Sequence, residues 1–256
     1  MAIDEEVVDV SQDWELACDV QQRFMHGAGW NAGFAEYSAR CRQLRALGGD
    51  CFDFMPLAEN RLALAIGDAS GKGLAAALMI ASVQSSLRTA ALFTSDDLAR
   101  LLKTVNLQAY NSSLNDRFAT VFYGVFDRTA RMLRYVNAGH NSPLVLRQDG
   151  AVEWLEPSGA PVGVFADSNY SESILPLNPG DVVITYTDGV VEVTNPGGEE
   201  WGVEGLLKAA TAWDPQCVQG AEDLVRQIFP AMDDFSGGCQ TDDATVAALR
   251  VVSRHH

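Results

Sequence analysis

Aspartates set among glycines occur at four places in this chain: Gly48-Gly49-Asp50, Gly67-Asp68-Ala69-Ser70-Gly71-Lys72-Gly73, Thr187-Asp188-Gly189 and the pair Asp242-Asp243. Hard divalent cations take oxygen ligands, and carboxylates gathered from distant strand ends are the donor set that a pair of such ions requires. Each motif also has a plainer reading. Asp188-Gly189, between runs rich in valine and threonine, has the form of a hairpin turn. Asp242-Asp243 reads as a loop before a strand, and Gly48-Gly49 as a tight turn that equally permits close backbone approach to a ligand. What favours a shared site is the coincidence of all four at strand edges.

The segment GDASGKG invites a nucleotide-binding reading, because Gly71-Lys72 precedes a helical pattern. Its spacing excludes one: a phosphate-binding loop needs GxxxxGK followed by Ser or Thr, whereas only Asp68, Ala69 and Ser70 separate Gly67 from Gly71, and Gly73 follows the lysine. Ser70 does not sit in GxSxG either, which removes a hydrolase elbow. Lys72 is left as a solvated charge or an anion contact.

The elements that must position these residues can be read from periodicity. CFDFMPL and RLALAIGD, separated by Glu59-Asn60, form a predicted hairpin that starts at Asp50 and ends at Asp68, so antiparallel pairing brings both carboxylates to one sheet edge. LAAALMIASVQSSLRTAALF reads as a helix buried against a sheet. Ser95, Asp96 and Asp97 open a second helix through Val105. FATVFYGVFD, ARMLRYVNAG and PLVLRQ read as strands, with turns at Asp127-Arg128-Thr129 and Gln148-Asp149-Gly150. DVVITYTDGVVEV reads as a strand pair, WGVEGLLKAA and AEDLVRQIFPAM as helices, and ATVAALRVV as a closing strand. Residues 11 to 25 predict a helix with Ser11 as N-cap, and HGAGWNAGFAEYSAR reads as a connector. Grouped strands and paired helices without strict alternation argue for α+β layers.

Composition bounds the function. The 256 residues and 47% hydrophobic content suffice for a substantial core, and 34 acidic against 18 basic residues give a net charge of −16, which disfavours nucleic acid or an anionic membrane as partner. Cys18, Cys41, Cys51, Cys217 and Cys239 are odd in number and scattered, as in a reducing compartment. The acidic N-terminus is unlike a signal peptide, and no run approaches the roughly 18 apolar residues of a membrane span. A cytoplasmic location is the expectation.

The order of motifs resembles the metal-dependent protein phosphatases of type 2C, specifically their SpoIIE/RsbU-like bacterial branch. The resemblance covers about residues 20 to 252 and rests on GGDCFDF, GDASGKGLAAALM, NAGHNSPLVL, PVGVF, LNPGDVVITYTDGVVE, EEWGVEGL and DDATV. It implies a two-layer antiparallel β-sandwich flanked by helices on both sides (α-β-β-α), with residues 1–30 an N-terminal helix or linker and 31–256 the phosphatase domain. It further implies two divalent cations, Mn2+ or Mg2+. Asp50 would bridge them, with Asp68, the Ala69 carbonyl, Asp188 and one of Asp242 and Asp243 completing the shell, Asp242 preferred. Asp50 and Asp68 would be the catalytic pair, acting through water on a phosphoserine or phosphothreonine. The branch often has histidine where Lys72 stands, so the proton donor is unassigned; His140 in AGHN reads as a hydrogen-bonded structural residue. The implied partner is a phosphorylated regulatory protein of anti-anti-sigma type, and the N-terminal helix, with Trp14 and Phe24, suggests a homodimer. A catalytically silent binding module with the same fold is the alternative.

Overall fold

The structure is a computed structural model and describes residues 10–25, 30–31, 33–58, 60–94, 96–113, 117–212 and 220–252. Helix α1 (Val10–Phe24) precedes strands β1 (Trp30–Asn31), β2 (Ala35–Arg42), β3 (Asp50–Ala58) and β4 (Arg61–Ala69). Helices α2 (Leu74–Thr94) and α3 (Leu98–Ser112) follow, then β5 (Ala119–Asp127), β6 (Met132–Ala138), β7 (Leu144–Leu146), β8 (Val152–Trp154), β9 (Ser173–Pro176) and β10 (Val182–Tyr186). The chain closes with α4 (Asp188–Val191), α5 (Gly202–Thr211), α6 (Ala221–Ser236) and β11 (Ala244–Val251).

These strands form two antiparallel sheets, ordered β1-β2-β11-β10-β7-β8 and β3-β4-β5-β6-β9. Successive side chains of a strand point to opposite faces, and parity sorts them here. Phe52, Phe54, Leu62, Leu64, Ile66, Phe122, Phe126, Val183, Ala247 and Leu249 meet between the sheets. Cys51, Met55, Ala63, Ala65, Val121, Tyr123 and Val125 face α2 and α3, joining Ile80, Leu87, Leu101 and Leu102. Val182, Ile184, Tyr186, Val246 and Ala248 face α5 and α6, meeting Leu206, Leu224, Ile228 and Phe229. The result is the expected α-β-β-α sandwich.

Four local readings are corrected. The stretch read as a connector contains β1 and most of β2, and β2 pairs along its whole length with β11, from Ala35 opposite Val251 to Arg42 opposite Ala244. Its alanines and serine hide the alternation that marks a strand. DVVITYTDGVVEV is one strand and not a pair: after Tyr186 the chain turns into α4, and Val190, Val191 and Val193 pack toward α5 and α6, so burial overrides their β propensity. Helix α3 is capped by Asp97, whose side chain accepts from the Arg100 amide at 2.9 Å; Ser95 lies outside the described residues, as do Glu59 and Cys217. Ser11 lies inside α1 as described.

Helix α2 also has the length and apolarity of a membrane span, although no such run was expected. Its Ala76, Ile80, Val83, Leu87 and Ala91 are buried in the core against the second sheet, while Leu78, Leu92 and Phe93 are exposed. Short β8 and β9 carry no sequence pattern long enough to read.

Candidate metal centre

The predicted hairpin forms in the expected register. Asp50, first in β3, sits directly opposite Asp68, near the end of β4, and side chains opposite one another in a ladder share a face. Parity fixes which face: both belong to the even-numbered set of their strands, which lines the space between the sheets. Asp53, three residues on, therefore points the other way and pairs with Arg88 of α2, away from the cluster.

The other sheet supplies the rest. Asp188 begins α4 at the end of β10, and Asp242 and Asp243 precede β11, its neighbour. Asp50 is buried, and its Oδ2 accepts hydrogen bonds from Thr187 Oγ1 at 2.7 Å and Thr245 Oγ1 at 2.6 Å. The Thr245 amide in turn donates to Thr187 Oγ1 at 2.9 Å. Two threonines thus tie Asp50 across the gap between sheets. Neither was given a role from the sequence, although Thr187 and Thr245 lie within the motifs Thr187-Asp188-Gly189 and DDATV and have the parity of inward residues.

The two terminal aspartates behave differently. Asp243 is buried and accepts from the Leu44 amide through Oδ1 and from the Gly49 amide through Oδ2, each at 2.7 Å. It shapes the loop that presents Asp50. Space is tight there: a Cβ on Gly48 would lie 2.6 Å from Asp243 Oδ2, and one on Gly189 2.0 Å from the Asp243 carbonyl oxygen, so both positions exclude side chains. Asp242 is half-exposed and faces Lys72, whose Nζ lies 2.6 Å from its Oδ2 and also donates to the Thr241 carbonyl at 2.8 Å. Gly71 and Gly73 flank that lysine with φ of 87° and 79°, a left-handed conformation that glycine adopts freely.

Burial raises the pKa of Asp50, Asp68 and Asp188 from their ordinary values. For Asp50 the threonine hydroxyls oppose that rise, while Asp243 and Asp188 add to it; for Asp68 the charges of Asp50, Asp188, Asp242 and Asp243 add to it. For Asp188, Glu192 and Asp242 add to it and Lys72 opposes it. Negative charge is gathered here in excess of the local positive charge.

The Ala69 carbonyl joins the same edge, lying 3.2 Å from where a Cβ on Gly49 would stand, while the Ala69 amide donates to the Gly49 carbonyl at 3.0 Å. The candidate ligands are therefore neighbours at one end of the sandwich. Among the described residues, no three of them are arranged closely enough to hold an ion as they stand. The hydrogen bonds account for this: Asp243 is committed to backbone amides, Asp242 to Lys72, and one oxygen of Asp50 to two hydroxyls. In chemistry, an all-oxygen set with surplus negative charge fits hard divalent cations.

Residues 58–252 match the family model described as stage II sporulation protein E (SpoIIE). The chain belongs to the SpoIIE family. Phosphoserine phosphatase RsbU of Bacillus subtilis (strain 168) is 26% identical over 248 residues, covering 94% of this chain and 71% of that protein. Protein IcfG of Synechocystis sp. is 28% identical over 237 residues, 80% of this chain but only 36% of IcfG. The chain thus spans about a third of the one relative and most of the other. Among solved structures, the SiaA-PP2C domain of Pseudomonas aeruginosa superposes with a TM-score of 0.79 at 20% identity, covering 94% of this chain and 96% of that one. This SpoIIE-family chain shares the fold of that PP2C domain.

Within that family frame, His140 has a local explanation. It is buried, its Nδ1 lies 2.8 Å from Thr120 Oγ1, and its amide donates to Asn137 Oδ1 at 2.8 Å. Burial lowers its pKa to about 4, so the ring stays neutral near pH 7. It anchors the turn after β6, as the sequence suggested.

Proposed function

We propose that this chain is a metal-dependent phosphatase acting on phosphoserine or phosphothreonine of a regulatory protein, of the anti-anti-sigma type. Asp50, Asp68, the Ala69 carbonyl, Asp188 and Asp242 would hold two divalent cations, Mn2+ or Mg2+. One observation carries the reading: carboxylates from four separate motifs meet at one end of the sandwich with too little positive charge to balance them. RsbU, which is named a phosphoserine phosphatase, supports the substrate class. On this reading residues 1–30 are a linker helix and 31–256 the phosphatase domain.

Divalent cations bound there supply Lewis acidity and charge neutralisation for phosphoryl transfer to water. The chain's own residues orient the ligands. Thr187 and Thr245 hold one oxygen of Asp50 and favour its ionised form, leaving the other oxygen for ligation. Asp243 fixes the Gly48-Gly49 loop and is a positioning residue, so the preference for Asp242 as ligand gains support from the contacts of both. Asp242 would give up its Lys72 contact to hold a cation, and Lys72, half-exposed beside it, would then be available to an anionic substrate.

The test is hydrolysis of p-nitrophenyl phosphate and of phosphorylated anti-anti-sigma proteins with Mn2+ and with Mg2+. Activity should vanish on chelation and in Asp68→Asn and Asp188→Asn. Undiminished turnover in both variants would sink the two-metal assignment. One observation favours a second reading, a phosphoprotein-binding module without turnover: Lys72 already occupies Asp242. Saturable binding of the phosphoprotein with no phosphate release under either metal selects that reading.

A further inference from the structure

At the end of the sandwich opposite the carboxylates lies a cavity of about 470 Å³, lined by Phe34, Asn60, Phe126, Arg128, Arg131 and Val251 among others. Strand β11 joins the two ends, with Ala244 beside the aspartates and Val251 at the cavity, about 24 Å apart for seven steps of extended chain. This volume is that of a small-molecule site.

Its floor is one end of the inter-sheet core: Phe34, Phe126 and Val251 are buried and all belong to that layer. Two arginines stand beside it. Arg128 is half-buried, with its guanidinium 5.4 Å from the centroid of the Phe34 ring. Arg131 is exposed on the same turn. Among the described residues neither guanidinium forms an ion pair. The nearby carboxylate of Asp127 is used within the turn, its Oδ1 accepting from the Thr129 and Ala130 amides at 2.7 and 2.9 Å.

Backbone conformation is a second, independent signal. Arg131 has φ of 54°, the only non-glycine among the described residues in the left-handed region. An L-residue there costs roughly 1–2 kcal/mol, and glycine would avoid it. A long cationic side chain kept at such a position points to a use for that side chain.

We propose that this cavity is a second ligand site, for a small amphiphile with an apolar acyl or aryl body and one anionic head. The body rests on Phe34, Phe126 and Val251, and the head, a carboxylate or a sulfonate-like group, lies between Arg128 and Arg131, whose planar guanidiniums suit bidentate recognition of such groups. The site shares no residue with the carboxylate centre, so it stands whether or not the phosphatase reading does.

Isothermal titration with octane-1-sulfonate below its micellar concentration, beside neutral 1-octanol, tests it. The full chain should bind the sulfonate saturably and the alcohol at least tenfold more weakly, and Arg128→Gln and Arg131→Gly should each weaken sulfonate binding about tenfold, each near 1.4 kcal/mol. Arg131→Gly retains the left-handed turn, and an unchanged or raised thermal midpoint shows that lost binding is not lost folding. No saturable binding, or equal affinity in the folded variants, overturns the proposal. Sedimentation with phosphatidylglycerol vesicles separates a free ligand from a lipid surface: no retention is expected, and retention that needs both arginines overturns the free-ligand assignment.

Discussion

The two adjacent carboxylates Asp242 and Asp243 are the same residue type one position apart, yet their surroundings assign them different work. Removing Asp243 as in Asp243→Ala strips the Leu44 and Gly49 amides of their acceptor, and buried donors left unpaired cost about 1–3 kcal/mol each. Urea unfolding should show a loss of about 2–4 kcal/mol. Asp242→Asn, which disturbs a half-exposed ion pair and keeps an oxygen that can accept from the Asp243 amide, should leave stability within about 0.5 kcal/mol while weakening Mn2+ binding at least tenfold. The reverse pattern would exchange the two roles. Titration carries a second prediction. Asp50 and Asp68 have folded pKa values raised by burial, so the stability they permit is present below about pH 4 and is lost as pH rises toward their folded values. Cation binding requires the ionised ligands and offsets that loss. The rise in thermal midpoint on adding Mn2+ should therefore be larger near pH 7.5 than near pH 5. Equal rises at the two values would count against these aspartates as ligands.

Helix α1 bears directly on the loop that carries Asp50. Gln21, buried, donates from Nε2 to the Gly48 carbonyl at 2.7 Å, and its Oε1 accepts from the Gly48 amide at 3.1 Å. A side-chain amide here satisfies a glycine's donor and acceptor together, so the helix holds the loop as a neighbouring strand would. Gln84 of α2 adds a link from behind, donating to the Phe24 carbonyl at 2.7 Å and the Phe52 carbonyl at 3.2 Å. Gln21→Ala should destabilise the chain by about 1–3 kcal/mol and also lower Mn2+ affinity, read by calorimetric titration. Stability lost with metal affinity intact would reduce α1 to a purely structural element. None of this was visible in the pattern 11–25, where the apolar residues drew attention and glutamine reads as solvent-facing.

At the scale of the molecule, α1 leaves Leu16 and Val20, one turn apart, more than half exposed at 55% and 54%. The homodimer expected from the sequence on Trp14 and Phe24 is tested on this face, with Gln21 kept in place. The intact chain should sediment as a dimer and Leu16→Glu with Val20→Glu as a monomer; monomers in both cases would remove the helix as an interface. How much of the architecture was legible follows from the kind of signal each part carries. The runs CFDFMPL, RLALAIGD and FATVFYGVFD determined β3, β4 and β5 and the opposition of Asp50 to Asp68, because strand character is a local property of each run. The motif order determined the family. Strand β2 was hidden because its small side chains, Ala35, Ser38 and Ala39, fill a narrow space and carry no hydrophobic contrast. Only the tertiary structure decided that the chain leaves β10 as a helical turn, since the valines of α4 are claimed by a core built from α5 and α6. It also decided that Thr187 and Thr245 would hold Asp50, that Asp243 would clamp the Gly48-Gly49 loop and that Lys72 would reach Asp242. These partners lie up to 195 residues apart along the chain, and a hydrogen bond between distant strand ends leaves no periodic trace in the sequence that makes it.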